Sequence, residues 1–272
     1  MIFSIQSNVM HGYVGNRASL PLYHASGLET CQLDTVRLAA HPGYGTTARD
    51  VICAQSMTDL FDDYLKLSDA NSITACHTGY FGTADQVSAT ASFIKALQQR
   101  NPDMHVLVDP VFGDKGRSYV PEDVITAIIE CLLPLADILT PNQFELSYLT
   151  NRPLDTLDQA KSALHHLISK PNQMALATGI GNKATIHDLC LHKGQIYDIS
   201  APLLDNGVSG AGDAFASLFL SQIIKGQAIK TALHTASNIT HHIVRHSQSP
   251  LTMNIESGLH AYQAMLKRAA NP

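Results

Sequence analysis

The chain has 272 residues, of which 18 are Lys or Arg and 23 are Asp or Glu, so its formal net charge is −5 when histidine is neutral. This acidic balance, with no basic run, argues against nucleic acid as the main partner. No stretch reaches the ~20 apolar residues that a membrane helix needs, and the N-terminus is typical of a first strand and not of a signal peptide. The cysteines are scattered without a C-x-x-C pair, which predicts free thiols in a reducing cytoplasm.

Short apolar runs alternate with amphipathic stretches along the chain, which has no Pro/Ser-rich linker and is predicted to form one domain over 1–272. Such alternation predicts an α/β fold: a doubly wound, mostly parallel central sheet with helices on both faces. The predicted strands are 1–6, 29–36, 72–77, 105–108, 137–139 and 173–177, followed by a hairpin of 184–191 and 195–200. The predicted helices are 55–67, 84–100, 122–132, 143–149, 155–169, 211–225, 228–246 and 254–268.

Ligands of such sheets bind beyond the carboxyl ends of the strands. Polar or glycine-rich segments that directly follow a predicted strand are therefore candidate site segments. Four segments meet this criterion, and a fifth leads into a helix: 7–15, 109–119, 140–145, 178–182 and 209–213.

The first candidate is Ser7, whose hydroxyl would directly follow the first strand. There it could hydrogen-bond a ligand, or it could belong to a plain turn. In the second segment Asp109 ends a buried strand, and a flexible glycine-containing stretch with the charged residues Asp114, Lys115 and Arg117 follows. A charged surface loop is the alternative interpretation of that stretch.

The third segment is Thr140-Pro141-Asn142-Gln143-Phe144-Glu145. Asn142 followed three residues later by Glu145 is the pattern of a helix capping box. The same carboxylate could hold a cation, because Mg²⁺ bound to phosphates uses only one or two protein carboxylates. Glu145 together with Asp109 would be sufficient for that purpose.

The last segment, Ser209-Gly210-Ala211-Gly212-Asp213, leads small residues into an apolar helix. Such residues let the backbone approach a ligand, and the free N–H groups of a helix start attract anions. Asp213 could complement the helix dipole or act as a base beside bound phosphate. A helix start should lower the pKa of Asp213. The chain contains no G-x-x-x-x-G-K-[ST] motif, so it is not a P-loop enzyme.

These segments, taken together, resemble the pyridoxal kinases of the ribokinase-like superfamily. The similarity lies in Q-S-x-V-x-x-G-x-V-G-N from Gln6, G-Y-x-G from Gly79, D-P-V-x-G-D-x-G-x-x-Y-V from Asp109, T-P-N-x-x-E from Thr140 and G-A-G-D from Gly210. The motifs follow the family order and cover nearly the whole chain. Two features depart from the family: many members have threonine or valine in place of Ala211, and Pro42 and Gly43 occupy positions where members often place a substrate-contacting threonine or histidine.

The resemblance implies a role for each matched residue. Asp213 would take the proton of the acceptor hydroxyl, and the turn of Gly210, Ala211 and Gly212 would hold the transferring phosphate. Ser7 and either His41 or Tyr44 would contact the substrate ring. ATP would lie along Asp109, Asp114, Tyr119, Thr140, Thr178, Ser209, Gly210 and Gly212, and the metal near Asp109 and Glu145.

The implied activity is ATP-dependent phosphorylation of the hydroxymethyl group of a vitamin B6 vitamer, with Mg²⁺ and in addition K⁺ or Na⁺. The implied enzyme is cytoplasmic and homodimeric, with no nucleic acid or membrane partner. Two alternatives stay open. One is a hydroxymethylpyrimidine or other small-alcohol kinase, although hydroxymethylpyrimidine kinases usually carry cysteine where this chain has Asp213. The other is a non-catalytic B6-binding relative.

Overall fold

A nine-stranded sheet forms the centre of the protein, with the strand order β11-β10-β9-β8-β5-β4-β1-β2-β3. The computed structural model describes residues 1–46, 48–181, 184–204 and 207–270, and for residues 269 and 270 it describes the backbone only. The strands of the sheet are β1 (Ile2–His11), β2 (Thr30–Ala40), β3 (Arg49–Val51), β4 (Ala75–Thr78), β5 (His105–Val108), β8 (Ile138–Leu139), β9 (Met174–Gly181), β10 (Thr185–His192) and β11 (Gln195–Pro202). A separate two-stranded hairpin consists of β6 (Gly113–Asp114) and β7 (Arg117–Ser118).

The strands from β9 through β8, β5, β4 and β1 to β2 pair in parallel. Antiparallel pairs form only the two ends of the described sheet, with β3 at one end and β10 and β11 at the other. From β1 the chain runs first to β2 on one side and later to β4 on the other. The predicted doubly wound, mostly parallel sheet and the predicted β10–β11 hairpin are confirmed.

The helices cover both faces of the sheet, because each face carries apolar side chains that must be buried. One face packs against α2 (Ala54–Leu65), α3 (Ala84–Arg100), α4 (Glu122–Ala127), α5 (Gln143–Thr150) and α6 (Leu157–Leu167). The other packs against α1 (Asn16–Ala25), α7 (Ala211–Ile224), α8 (Ile229–His246) and α9 (Ile255–Ala270). No helix in the described part of the chain is long and apolar enough to cross a membrane.

Helix α1, strand β3 and the β6–β7 hairpin were missing from the sequence prediction. Helix α1 contains Pro21, which usually breaks a helix interior; burial of Leu22 and Tyr23 against the core offsets that cost. Strand β3 and the β6–β7 hairpin have only two or three residues each, too few to show a hydrophobic period. The predicted helix 122–132 is helical throughout but changes to a π-turn at Ile128–Leu132.

Strand β1 is longer than predicted, and this changes the setting of Ser7. The strand runs on to His11, and its pairing with β2 shifts between Gln6 and Asn8, where Ser7 faces two residues of β2. The extra residue of this β-bulge is on β2, and Ser7 lies opposite it, within β1 and not in a turn after the strand. Bulges re-aim side chains next to functional sites.

Candidate active site

The site candidates meet at the carboxyl edge of the parallel strands, as the fold predicts. Asp109 follows β5, Thr140 follows β8, and both are buried, with 6% and 4% of their surface exposed. The start of α7 reaches the same edge, because Gly210 packs on the backbone of Tyr13, shortly after β1.

The turn before α7 requires glycine at Gly210. This residue has φ +91°, and a Cβ added to it would overlap the carbonyl oxygen of Tyr13. Ala211 begins the helix, and its N–H donates to the carbonyl of Val208 at 3.3 Å. A Cβ added to Gly212 would meet nothing within 4 Å among the described residues. The turn therefore leaves no room for a side chain at Gly210, whereas space remains beside Gly212. There the N–H groups of the first helical turn can bind an anion.

Asp213 lies in the first turn of α7 with its side chain half-buried. Burial raises the pKa of this carboxyl group to about 6, and the backbone N–H of Gly15 offsets part of the rise. The expectation that the helix start would lower the pKa is wrong, because desolvation outweighs the helix dipole at this position. The higher pKa makes Asp213 a stronger base than an exposed aspartate.

Gly15 connects Asp213 with Ser7. Its N–H faces Asp213, and a Cβ added to Gly15 would overlap the backbone carbonyl of Ser7 and lie 2.8 Å from its hydroxyl oxygen. Ser7 is itself buried, with 6% exposed. Ser7, Gly15 and the first turn of α7 are therefore in contact one after the other.

Glu145 is fixed by backbone donors from two segments. The capping box predicted for α5 is present: the side chain of Asn142 accepts the N–H of Glu145, and Glu145 Oε2 accepts the N–H of Asn142 at 2.9 Å. Glu145 Oε1 also accepts the N–H groups of Phe112 at 3.1 Å and Gly113 at 3.4 Å. Glu145 can therefore cap α5 and also belong to the candidate site.

The three acidic residues Asp109, Glu145 and Asp213 act on one another electrostatically. Desolvation and then the charge of Asp213 raise the pKa of Asp109, while the hydroxyl of Thr140 partly offsets the rise. Desolvation and then the charge of Asp109 raise the pKa of Glu145, against the lowering effect of its three backbone donors. A bound cation would remove this repulsion.

The donor set fits a phosphate-bound Mg²⁺. Within the described ranges no three His, Cys, Asp or Glu side chains are grouped so as to enclose a metal ion. Magnesium keeps several waters and phosphate oxygens in its shell and needs only one or two carboxylates. Thr140 Oγ1 is a buried oxygen that has no hydrogen-bond partner of good geometry among the described residues. It lies beside Asp109 and adds a polar atom to the proposed metal site.

The segment after Asp109, predicted as a flexible stretch, forms the ordered β6–β7 hairpin. Asp114 is exposed at its end, and its carboxylate accepts the N–H of Lys115 at 2.8 Å. Tyr119 directly follows the hairpin with 48% of its surface exposed. Loss of water around its phenol, and then the charges of Glu145, Asp109 and Asp213, raise the pKa of Tyr119. Tyr119 is therefore close enough to the three carboxylates for their charges to act on its phenol.

Thr178 lies within β9 and not after a strand, because β9 continues through a bend to Gly181. The N–H of Thr178 donates to the carbonyl of Pro141 at 3.1 Å, which places Thr178 beside Asn142. The bend occurs at Gly179, with φ +65°. Asn182, the last residue of this predicted segment, lies outside the described residues.

A buried carboxylate supports the bend in β9. Asp188 Oδ1 accepts the N–H of Gly179 at 3.0 Å, and Oδ2 accepts the hydroxyl of Ser237 at 2.7 Å. The sequence analysis missed Asp188, although a carboxylate directly before the apolar run from Leu189 is an unusual feature of a strand.

His41 caps a 3₁₀ turn, Pro42–Tyr44, that follows β2, and Tyr44 is the last residue of this turn. Within it, the His41 ring accepts the N–H of Gly43 at 3.1 Å. The Tyr44 hydroxyl hydrogen-bonds Thr252, and its ring packs edge-on against His11 at 5.3 Å. Both side chains therefore have partners within the protein.

The segment 249–253 joins this turn to the glycine turn, and the sequence analysis did not single it out. Ser209, which is half-buried, donates its N–H to the carbonyl of Pro250 at 2.9 Å. The side chain of Met253 lies against Gly210. The segment 249–253 makes its contacts mostly through backbone groups and apolar atoms, and such contacts leave no motif in the sequence. For the same reason the sequence could not indicate the backbone donors of Gly15, Phe112 and Gly113.

A family model described as Phosphomethylpyrimidine kinase matches residues 45–257. Among curated proteins, a pyridoxal kinase of Rubrobacter xylanophilus is 31% identical over 245 residues, which cover 88% of this chain and 84% of that protein.

Solved structures give the same result. The pyridoxal kinase of Entamoeba histolytica superposes with a TM-score of 0.88 at 28% identity, covering 96% of this chain and 94% of that one. The structure of Plasmodium falciparum PdxK with the ligands AMP-PNP and PL superposes with a TM-score of 0.84 at 25% identity, with the same coverage of 96% and 94%.

Proposed function

The chain belongs to the pyridoxal kinases of the phosphomethylpyrimidine kinase family, and from this premise we propose that it transfers the γ-phosphoryl group of ATP to the hydroxymethyl group of pyridoxal. It is a phosphotransferase with an alcohol acceptor. The product of the proposed reaction is pyridoxal 5′-phosphate, formed from vitamin B6 that the cell salvages.

One observation carries the proposal: a carboxylate of raised pKa stands beside a glycine turn that is open toward the cleft. Asp213 would accept the proton of the hydroxymethyl oxygen as that oxygen attacks phosphorus. The first N–H groups of α7, around Gly212, would hold the transferring phosphoryl oxygens. Because phosphoryl transfer has a loose transition state, orientation and charge neutralisation contribute more than basicity.

Asp109 and Glu145 are the residues that would hold Mg²⁺, with Glu145 acting through water because backbone donors already engage both of its oxygens. The ion would neutralise charge on the phosphate oxygens. A monovalent cation, K⁺ or Na⁺, is a further part of the proposal and derives from the family resemblance alone.

The two substrates would enter from different sides. The nucleotide would lie along Thr140, Thr178 and Ser209, with Asp114 and Tyr119 covering it from the hairpin. The vitamin ring would lie near Ser7, whose hydroxyl is close to Gly15 and hence to Asp213. Either His41 or Tyr44 would contact the ring, since each side chain already has one partner within the protein.

Pyridoxal is the favoured acceptor, and a hydroxymethylpyrimidine is the second candidate because the matching family model carries that description. Asp213 favours pyridoxal, since hydroxymethylpyrimidine kinases usually have cysteine there. A relative at 31% identity is named a pyridoxal kinase. The homodimer and the cytoplasmic location stay proposals drawn from the resemblance and the scattered cysteines.

A substrate panel tests the function. The protein is incubated with Mg-ATP and, separately, pyridoxal, pyridoxine, pyridoxamine, hydroxymethylpyrimidine and ribose, and ADP release is followed. We expect turnover with pyridoxal and none above the acceptor-free background with ribose. Preferential turnover of hydroxymethylpyrimidine would move the assignment to the second candidate, and pyridoxal binding without ADP release would indicate a non-catalytic relative.

A further inference from the structure

The side chain of Lys115 reaches Gly207, in the segment that leads into the glycine turn. A Cβ built on Gly207 would lie 3.3 Å from Nζ of Lys115 and 4.0 Å from its Cε. Gly207 precedes Gly210 by three residues, so the ammonium group is held at the rim of the turn that would hold the transferring phosphate.

The hairpin that carries Lys115 has a firm base on the opposite side of the cleft. Phe112 and Gly113 donate their N–H groups to Glu145, and Asn142 Nδ2 donates to the carbonyl of Gly113 at 2.8 Å. The ring of Phe144 packs directly on Gly113. The base of the hairpin is therefore attached to the start of α5, on the Glu145 side of the site.

The turn at the hairpin tip fixes the direction in which Lys115 leaves it. Lys115 and Gly116 form a two-residue loop in which both have positive φ, +50° and +81°. This is the signature of a type I′ turn, whose twist matches that of a tight hairpin. Lysine rarely adopts positive φ, and glycine or asparagine would fit the first position at lower cost. The β10–β11 hairpin has the same turn at Lys193 and Gly194, so the conformation by itself fixes only the direction of the Lys115 side chain.

The charges around the cleft give Lys115 a function. Asp109, Glu145 and Asp213 all line the side where the polyphosphate must bind, and their negative charges oppose its entry. A cation on the rim would attract the terminal phosphates and pair with them as a point charge.

We propose that Lys115 is a phosphate-binding residue of the nucleotide site, and that the β6–β7 hairpin places its ammonium over the β- and γ-phosphates from the side opposite Asp109. The inference rests on the proposed function, because it assumes a nucleoside triphosphate as donor. It adds a specific prediction: affinity gained through Lys115 depends on the phosphates beyond the first and not on the nucleoside.

The test measures the binding of AMP-PNP, ADP and AMP by calorimetry to the full-length wild-type protein and to Lys115→Met, which keeps the length of the side chain and removes its charge. We expect AMP-PNP to bind about tenfold more weakly to the variant, the range of one hydrogen bond to a charged group. AMP should bind within about twofold of wild type, because it lacks the phosphates that Lys115 would contact. Equal weakening for all three nucleotides, or none for AMP-PNP, would overturn the proposal.

Two further variants control for charge and folding. Arg117→Met removes one positive charge from the same hairpin and should leave the AMP-PNP affinity within about twofold, since screening weakens the effect of an exposed charge farther away. Lys115→Arg should restore most of the affinity. If Arg117→Met weakens AMP-PNP binding as much as Lys115→Met does, the effect is one of general charge and Lys115 has no specific contact.

Failure of this proposal and failure of the proposed function are distinguishable. The function is judged by pyridoxal-dependent ADP release from the wild-type protein. The role of Lys115 is judged by nucleotide binding alone, without an acceptor. A wild-type protein that phosphorylates pyridoxal while Lys115→Met binds AMP-PNP normally would remove Lys115 from the site and leave the kinase intact.

Discussion

Asp213 shows how one position can combine two opposing influences on a carboxylate. The helix start and the Gly15 N–H favour its charge, whereas burial disfavours it, and burial is the larger effect because the pKa rises to about 6. The result is a group that is ionised at neutral pH and still basic enough to accept a proton.

Replacing Asp213 with asparagine should lower kcat for pyridoxal by about 10²–10⁴ while the affinity for AMP-PNP stays within about twofold. The amide cannot accept the hydroxyl proton, but it preserves the shape of the first turn of α7. Steady-state kinetics and calorimetry measure the two quantities. The control is Asp62→Asn, which removes an exposed carboxylate from α2 and should leave both unchanged. Near-normal turnover of Asp213→Asn would reject Asp213 as the base.

The pH profile of wild-type kcat/KM for pyridoxal should rise with pH and level off above about 6. The base works only when deprotonated, so activity is lost as pH falls through the raised pKa of Asp213. The ring of pyridoxal titrates as well, and the residual rate of Asp213→Asn separates the two contributions. If the pH profile of Asp213→Asn still bends at the same pH, the titrating group belongs to the substrate and not to Asp213.

At the scale of elements, the two glycines at the start of α7 differ: the backbone requires Gly210, whereas the role of Gly212 is the proposed binding of phosphate. Gly210 has positive φ and packs on a carbonyl, whereas Gly212 has open space where its Cβ would be. The sequence shows both only as letters of the same G-A-G-D motif. Backbone conformation and the neighbouring Tyr13 distinguish them.

Gly210→Ala should destabilise the fold by about 1–3 kcal/mol or more, because its Cβ would overlap the Tyr13 carbonyl and its backbone would be strained. Gly212→Ala should leave stability nearly unchanged and lower kcat/KM for ATP at least about tenfold, because its methyl group would occupy the space where phosphate approaches. Thermal melts and kinetics measure the two effects. A Gly212→Ala variant with unaltered kinetics would show that the phosphate lies elsewhere.

The β6–β7 hairpin and α5 act together at this scale. The sequence predicted a capping box at Asn142 and a flexible stretch after Asp109 as separate features. The structure joins them, since Glu145 completes the cap and also fixes Phe112 and Gly113. Movement of the hairpin would therefore also shift Glu145 and, with it, the proposed metal site.

At the scale of the whole molecule, the three carboxylates of the candidate site form a cluster whose ionisation destabilises the folded state. Asp109, Glu145 and Asp213 all have raised pKa values. In the pH range between the unfolded and folded values, the folded state binds more protons. The stability that these groups contribute is therefore fully present below their pKa in the unfolded state. It is lost as the pH rises through their pKa values in the folded state.

Asp109→Asn should consequently be more stable than wild type at pH 8, by at least about 1 kcal/mol, and this advantage should shrink toward pH 4. Denaturant unfolding without nucleotide measures the difference at each pH. Adding MgCl₂ should reduce this difference in unfolding free energy at pH 8, because the ion should stabilise the wild type more than the variant. A variant less stable than wild type at pH 8 would contradict the proposed repulsion.

The sequence by itself determined the fold class, the order of most elements and the five segments that we propose carry the site. These follow from local patterns: apolar periodicity, glycine turns and polar residues at strand ends. The helix 84–100 was predicted to the residue, because the apolar face of a helix is a local signal.

Only the tertiary structure decided how the segments act on one another. It placed Ser7 opposite a bulge, raised the pKa of Asp213 against the helix dipole, and brought Lys115 to Gly207. These results depend on burial and on contacts between residues far apart in the chain. Desolvation is a property of everything packed around a group, and no local run of residues encodes it.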